Sequence, residues 1–275
     1  MTEIAREALS LDGAQPIPED QLWQNYPPQS PAGYEDPEQE RRYRKERVAG
    51  ALRLFAGLGF DEGVAGHISA RDPEYPDYFW VNPYIIPFAH VTTSDLVLVD
   101  EHGNVIKGKY PVAKAAFVIH SAVHKARPDV VAAAHTHSMY GKTLSATDQF
   151  IEPLTQDACV FYEDHTAFDG YAGIVDDLDE GKRLAEALGD RKAIILRNHG
   201  LLTVGTTVDS AIYWYYAAER SAQAQLTAKA AGGVSPISHE VAKLTHDETG
   251  NELAGWLQFQ PLYASIVREQ PDLLD

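Results

Sequence analysis

The chain breaks into short unbroken apolar runs and longer stretches in which apolar positions recur every three or four residues. Residues 1–35 show neither pattern. They carry Pro16, Pro18, Pro27, Pro28 and Pro31 and read as an extended N-terminal arm. Asp36-Pro37 then supplies a helix N-cap followed by a first-turn proline. Val48, Leu52 and Phe55 repeat at helical spacing up to Gly57 and Gly59. The runs "GHISAR", "YFWVNP", "DLVLVD" and "NVI" predict strands, the last two joined by the turn Glu101-His102-Gly103. A helix over about 112–126 ends at Arg127-Pro128-Asp129. The apolar run 130–134 predicts a buried strand, "DLDEGKRLAEALG" an amphipathic helix closed by Gly189, and "KAIILRNHG" a second buried strand with "LLTVG" as its hairpin partner. Thr207 caps a long helix over about 208–230 that ends at Gly232-Gly233. A helix near 238–247 and the tail "LYASIVREQPDLLD" complete the chain. Strands mixed with helices predict one α/β domain over 36–275 built on a central sheet.

Composition narrows the partners. At 275 residues and 44% hydrophobic, the chain can bury a large core. The 40 acidic against 23 basic residues give a net charge of −17, which argues against nucleic acid or an anionic membrane surface, since both need a basic face. No apolar run approaches the ~18 residues that cross a bilayer, and "MTEIAREALSLDG" lacks the order of a signal peptide. Cys159 is the single cysteine, so no internal disulfide framework exists, and in "DACVFY" it reads as a small buried residue. A cytoplasmic compartment is the expectation.

The chemistry concentrates at "VVAAAHTHSMYG". Residues i and i+2 of a strand face the same side, so His135 and His137 present both rings together, while Thr136 faces away. Ser138 can cap a helix that follows. A third imidazole at the end of another apolar strand, His199 in "ILRNHGLL", precedes a glycine that permits close approach. Three neutral imidazoles with open positions would make a catalytic rather than a structural metal site; the alternative is three histidines that merely hydrogen-bond at strand ends.

"ARPDVVAAAHTHSMYG" with "KAIILRNHGLLTVGTTVDSA", and "EGVAGHISARD", "FWVNP" and "DLVLVDEHGNVIKG" upstream, resemble the class II aldolase/adducin family over about residues 40 to 230, in the same order. The resemblance implies a three-layer α/β/α domain, a central mixed and largely antiparallel sheet, and a homotetramer with active sites at subunit contacts. It also implies that His135, His137 and His199 are the metal ligands.

One part of the family pattern is missing. Sugar-phosphate aldolases of the family carry a "PSSE" segment whose serines hold phosphate and whose glutamate moves a proton. Here the region reads "YPVAKAAFVIHSAVH": the glutamate position is Lys114 if aligned on Pro111, or Ala116 if aligned on the run from His120 to His135. Neither is a carboxylate base. A phosphate-holding Gly-Asn pair is replaced by Gly66-His67. The glutamate-less branch that this chain resembles holds the NovR/CloR-type decarboxylating oxygenases of aminocoumarin antibiotic biosynthesis, non-heme iron enzymes of prenylated 4-hydroxyphenyl 2-oxo and 2-hydroxy acids. The resemblance therefore implies Fe(II), dioxygen and an aryl 2-oxo or 2-hydroxy acid. The usual iron site pairs two histidines with a carboxylate, so three histidines alone do not select iron. The alternatives are a Zn2+-dependent lyase on a non-phosphorylated substrate and a non-catalytic adducin-like protein; a purely structural copy would have no need of the three ligands.

Around the metal, His67 and Lys114 are candidates to hold a substrate carboxylate. Tyr162, Glu163 and His165 in "FYEDH" are candidate acid–base groups, although residues of these types in a loop are more often surface residues. His120 and His124 stand i, i+4 on one helix face, a spacing that suits a ligand pair but reads more simply as hydrogen bonding near the site, with His120 the candidate neighbour of the metal. "YWYY" (213–216) covers every face of a helix, so part of it packs in the core.

Overall fold

Helix formation starts where the sequence supplies a cap. In the computed structural model, which describes residues 33–170 and 178–275 (backbone only at 114–117 and 178), Asp36 accepts the Glu38 amide and opens α1, Pro37–Leu58. Its end is set by Gly59, not Gly57: Gly59 takes φ 71°, the left-handed conformation that a helix terminus favours in glycine. The 1–32 part of the expected arm lies outside the described residues.

Among the described residues eight strands form one sheet in the order β4-β3-β2-β1-β5-β8-β7-β6. They are β1 (Gly66–Arg71), β2 (Phe79–Val81), β3 (Val97–Val99), β4 (Val105–Lys107), β5 (Ala132–Thr136), β6 (His165–Phe168), β7 (Ala193–Leu196) and β8 (Gly200–Gly205). Every neighbouring pair is antiparallel except β6 with β7. The sheet is mixed and largely antiparallel, as expected.

Helices cover both faces. Alternation along each strand sends Ile68, Ala70, Ala132, Ala134, Ile195 and Leu201 into one core with α1 and the long α5 (Val208–Ala230). Ala133, Ile194, Leu202 and Val204 point the other way, into a second core with α2 (Lys114–Ala126) and α4 (Leu178–Leu188). Two cores on opposite faces of one sheet make the three-layer α/β/α arrangement. The short α3 (Met139–Ser145) follows β5 directly.

Two expectations change. Ser138 precedes α3 but makes no side-chain cap; its hydroxyl is used elsewhere. The first part of the segment read as a tail, Leu262–Glu269, belongs to α7, Glu252–Glu269, a continuous helix with Pro261 inside, preceded by α6, His239–Thr249. Proline usually breaks a helix, but buried Trp256, Phe259, Gln260 and Ile266 anchor α7 against its neighbours. Tertiary packing outweighs the lost backbone bond.

Candidate metal centre

Strand register brings the first imidazoles together. His67 on β1 lies directly opposite His135 on β5, so both rings emerge on the α2 side of the sheet. Gly66 makes that approach possible: at φ 115° it takes a conformation reserved for glycine, and a Cβ there would sit 3.1 Å from the His135 carbonyl oxygen. His137 follows the end of β5, two residues from His135, with the ring centroids 5.2 Å apart.

His199 arrives from the β7–β8 hairpin. Asn198 turns the chain in the left-handed region at φ 58°, a conformation asparagine tolerates better than most side chains. Its amide is pinned to the Ser145 carbonyl at 2.9 Å, and the Arg197 guanidinium donates to the carbonyls of Thr147 (2.5 Å), Gln149 (2.9 Å) and Asp148 (3.2 Å). Gly200 then lets the turn pass β5, since a Cβ there would lie 2.9 Å from the Thr136 carbonyl oxygen. The His199 ring thereby stands 4.7 Å from His135 and 4.8 Å from His137, and one nitrogen from each of the three lies within 4.8 Å of the others.

These groups suit a divalent metal. His135 Nδ1 donates to the Leu201 carbonyl at 2.8 Å, which fixes the tautomer and leaves Nε2 as the nitrogen able to bind a metal. Burial, then the neighbouring imidazoles, holds the His135 pKa well below the usual value. His199 is pushed down to about 4 by burial and the His137 charge, and His137 is lowered by burial and Lys142, partly offset by Glu62. Neutral imidazole is the form that binds metal. Borderline nitrogen donors accept zinc, iron and other first-row ions alike, so the donor set does not choose between Fe(II) and Zn2+.

A second polar string continues from the trio under α2. The His67 and His120 rings are 4.3 Å apart. His120 Nδ1 shares a 2.6 Å hydrogen bond with Ser69 Oγ, which also bonds His124 Nε2 at 2.9 Å. All four side chains are buried; His67 Nε2 and His120 Nε2 lack a protein hydrogen bond, while the His124 ring also meets the backbone of Val130. Each such group costs about 1–3 kcal/mol, so packing alone gives no reason for so many imidazoles here.

The H-x-H segment is held from behind by α5. Tyr215 donates its hydroxyl to the Thr136 carbonyl at 2.9 Å and also bonds the Thr136 and Ser138 hydroxyls at 2.7 and 2.9 Å. Glu219, one turn later and 2% exposed, accepts from the Ser138 hydroxyl and from the amides of Tyr140 and Gly141. In "YWYY" it is therefore Tyr215 that reaches the site; Trp214 is core.

The "FYEDH" group serves another region. His165 Nδ1 donates to the Phe161 carbonyl at 2.6 Å and its Nε2 accepts the Ile151 amide at 3.0 Å, so both nitrogens are engaged in holding loops. Tyr162 bonds His239 Nδ1 at 2.7 Å. Tyr162 and Glu163 line a surface cleft of about 380 Å³ with Asp164, Arg191, Lys243 and His246. No contact joins these three residues to the trio among the described interactions. Lys114 opens α2, and its side chain is outside the described set. Cys159 is buried, and burial raises its thiol pKa.

Sequence reasoning missed Ser69, Tyr215 and Glu219. Ser69 had a signal, standing two residues after His67 on one strand face. Tyr215 and Glu219 had none, because nearly eighty residues separate them from the segment they hold.

An α/β/α sandwich with three convergent imidazoles at strand ends defines a scaffold with a possible three-histidine metal site. The chain belongs to the class II aldolase/adducin family: residues 46–226 match the class II aldolase and adducin N-terminal domain. It is 47% identical over 237 residues, 86% of each chain, to the 4-hydroxy-3-prenylphenylpyruvate oxygenase/4-hydroxy-3-prenylbenzoate synthase of Streptomyces roseochromogenus subsp. oscitans. It is 46% identical over 237 residues, 86% of this chain and 88% of the other, to the decarboxylase NovR of Streptomyces niveus. Among solved structures, an L-fuculose 1-phosphate aldolase from Glaciozyma antarctica PI12 is 44% identical with a TM-score of 0.82, covering 90% of this chain and 96% of its own. No described helix is long and apolar enough to cross a membrane.

Proposed function

We propose that this protein is a mononuclear metal enzyme that oxidatively decarboxylates an aryl 2-oxo or 2-hydroxy acid, with His135, His137 and His199 holding Fe(II). The observation that carries the reading is the 47% identity, over 86% of both chains, with a relative whose name spans a phenylpyruvate oxygenase and a benzoate synthase. Those two names define a balanced conversion: an arylpyruvic acid and two dioxygen molecules give an arylcarboxylic acid, two carbon dioxide molecules and one water. The acid itself supplies every electron, so no external reductant is needed. An arylglycolic (2-hydroxy) acid is the midpoint, formed with the first carbon dioxide.

When bound, the metal would supply Lewis acidity toward the 2-oxo acid and reactivity toward dioxygen. The chain's own residues do the rest. His135 is held in one tautomer by Leu201, so its Nε2 stays available. His67 and His120 carry Nε2 atoms with no partner in the protein, and either can donate to a carboxylate or oxo oxygen of the acid. Burial keeps both neutral and excludes water, which strengthens each hydrogen bond.

The 44% identity with a solved sugar-phosphate aldolase favours a second reading, a metal-dependent lyase. Lys114 or Ala116 in place of the family's glutamate weighs against it. The test is anaerobic loading with Fe(II), then oxygen uptake as 4-hydroxyphenyl 2-oxo acids with and without a ring prenyl group are added. Stoichiometric oxygen and carbon dioxide are expected. Equal turnover with Zn2+ and no oxygen would replace the oxygenase by the lyase.

A further inference from the structure

The Ser69 hydroxyl, wholly buried, lies between two imidazoles, 2.6 Å from His120 Nδ1 and 2.9 Å from His124 Nε2. A serine carries one proton, so in this geometry it donates to one ring and accepts from the other. The consequence is a coupling. If His120 is protonated on Nδ1, it donates to Ser69, the serine donates to His124 Nε2, and His124 carries its proton on Nδ1. If instead His124 is protonated on Nε2, the serine donates to His120 Nδ1, and His120 carries its proton on Nε2. The two rings always hold the same tautomer, and switching both leaves every group neutral.

The ends of this unit face different surroundings. His120 packs against His67, which stands opposite His135 of the candidate metal trio. His124 stacks on Phe79 and lines a surface groove with Arg71, Asp77, Glu101 and Lys125. Arg71 fixes that end by donating to the carbonyls of His124, Arg127 and Val130. The outer nitrogens, His120 Nε2 and His124 Nδ1, both buried, are the two positions that a proton would leave and enter, and the Val130 backbone stands beside the His124 ring.

We propose that His124, Ser69 and His120 form a proton relay between the surface groove and the candidate active site. For one inward transfer a proton binds His124 Nδ1, the Nε2 proton passes to Ser69 Oγ, the serine proton passes to His120 Nδ1, and the His120 Nε2 proton is released toward His67 and the site. One proton enters and one leaves. The reverse sequence resets the unit, and no imidazolium remains buried. Burial, which drives His124 down to about 3 and His120 well below the usual value, agrees with a relay that works through neutral tautomers. The role rests on the proposed reaction, whose water is assembled from hydrogens that leave the substrate and must be held and returned.

The test has a part that needs no substrate. In 15N-histidine-labelled protein, His120 and His124 are expected to share one tautomer, and Ser69→Ala to remove that correspondence. Opposite tautomers in the wild type would overturn the relay. With an aryl 2-oxo acid, Ser69→Ala and His124→Phe are expected to lower kcat at least tenfold and alter the solvent deuterium isotope effect. Co2+ stoichiometry should stay unchanged, and Ser69→Thr, which keeps a hydroxyl, should recover turnover. Wild-type kcat and isotope effect in both variants would also overturn it. If the wild-type protein turns over none of these acids, the reaction assignment fails, and the tautomer measurement still decides for or against the relay.

Discussion

Glu219 accepts the backbone amide of Gly141 at 2.6 Å, four residues after His137. The same carboxylate takes the Tyr140 amide at 2.8 Å and the Ser138 hydroxyl at 2.6 Å. It thus caps α3, whose first amides have no intrahelical partner, and does so with a negative charge at the positive helix end. Through Ser138 it also fixes the residue next to His137.

Glu219→Gln places an amide donor where amide donors already point. The expected result is a loss of about 1–3 kcal/mol in stability and a metal affinity lower by about 10–100-fold. Urea unfolding and competition with a chelator read the two quantities. Unchanged affinity would separate the clamp from the ligands.

Removing a ligand is a harsher change. His137→Ala, His135→Ala and His199→Ala should each abolish stoichiometric metal, measured by elemental analysis after dialysis. Retained stoichiometric metal in His137→Ala would mean the site lies elsewhere.

Gly200→Ala probes the approach of the hairpin to β5. Its Cβ would meet the Thr136 carbonyl oxygen at 2.9 Å and His135 Cε1 at 3.5 Å. The backbone must shift to relieve that contact, and in a packed core such strain costs about 1–3 kcal/mol. Metal binding should weaken together with stability, whereas Gly233→Ala, with nothing within 4 Å of the added carbon, should change neither.

Acidification should destabilise the protein over a definite window. Burial holds His124 near 3 in the folded protein against an ordinary value of about 6.5. The unfolded chain therefore takes up the proton first as pH falls. This contribution is complete above about pH 6.5 and is lost progressively toward pH 3. In metal-free protein, His124→Phe should make the slope of stability against pH shallower by up to about 1.4 kcal/mol per pH unit. Urea melts between pH 7 and 4 read the difference, and an identical slope would show that His124 does not titrate on unfolding.

His165 is expected to matter for folding alone. Losing its bonds to Phe161 and Ile151 in His165→Phe leaves a buried amide unpaired and should cost about 1–3 kcal/mol. Metal stoichiometry should be that of the wild type.

Much of the scaffold can be read from local pattern. Asp36-Pro37, Gly59, Thr207 and the apolar runs mark elements through capping and alternation, which depend on neighbours in the chain. His135 and His137 share a face because a strand repeats every two residues. The i, i+4 spacing of His120 and His124 likewise puts both on one helix face. The C-terminal helix α7 was not legible as one, because the packing that holds it together across Pro261 is not displayed in the sequence.

What the sequence determined by itself was the candidate trio His135, His137 and His199, the family and the absence of the expected glutamate, since each is a matter of residue identity and order. The tertiary structure decided which other groups stand beside that trio. Antiparallel register set His67 against His135, α2 laid His120 and His124 over Ser69, and α5 brought Tyr215 and Glu219 to Thr136 and Ser138. It also tied His165 to backbone groups at both nitrogens. Such contacts join residues far apart in the chain, and only the packing of sheet and helices fixes which of them meet.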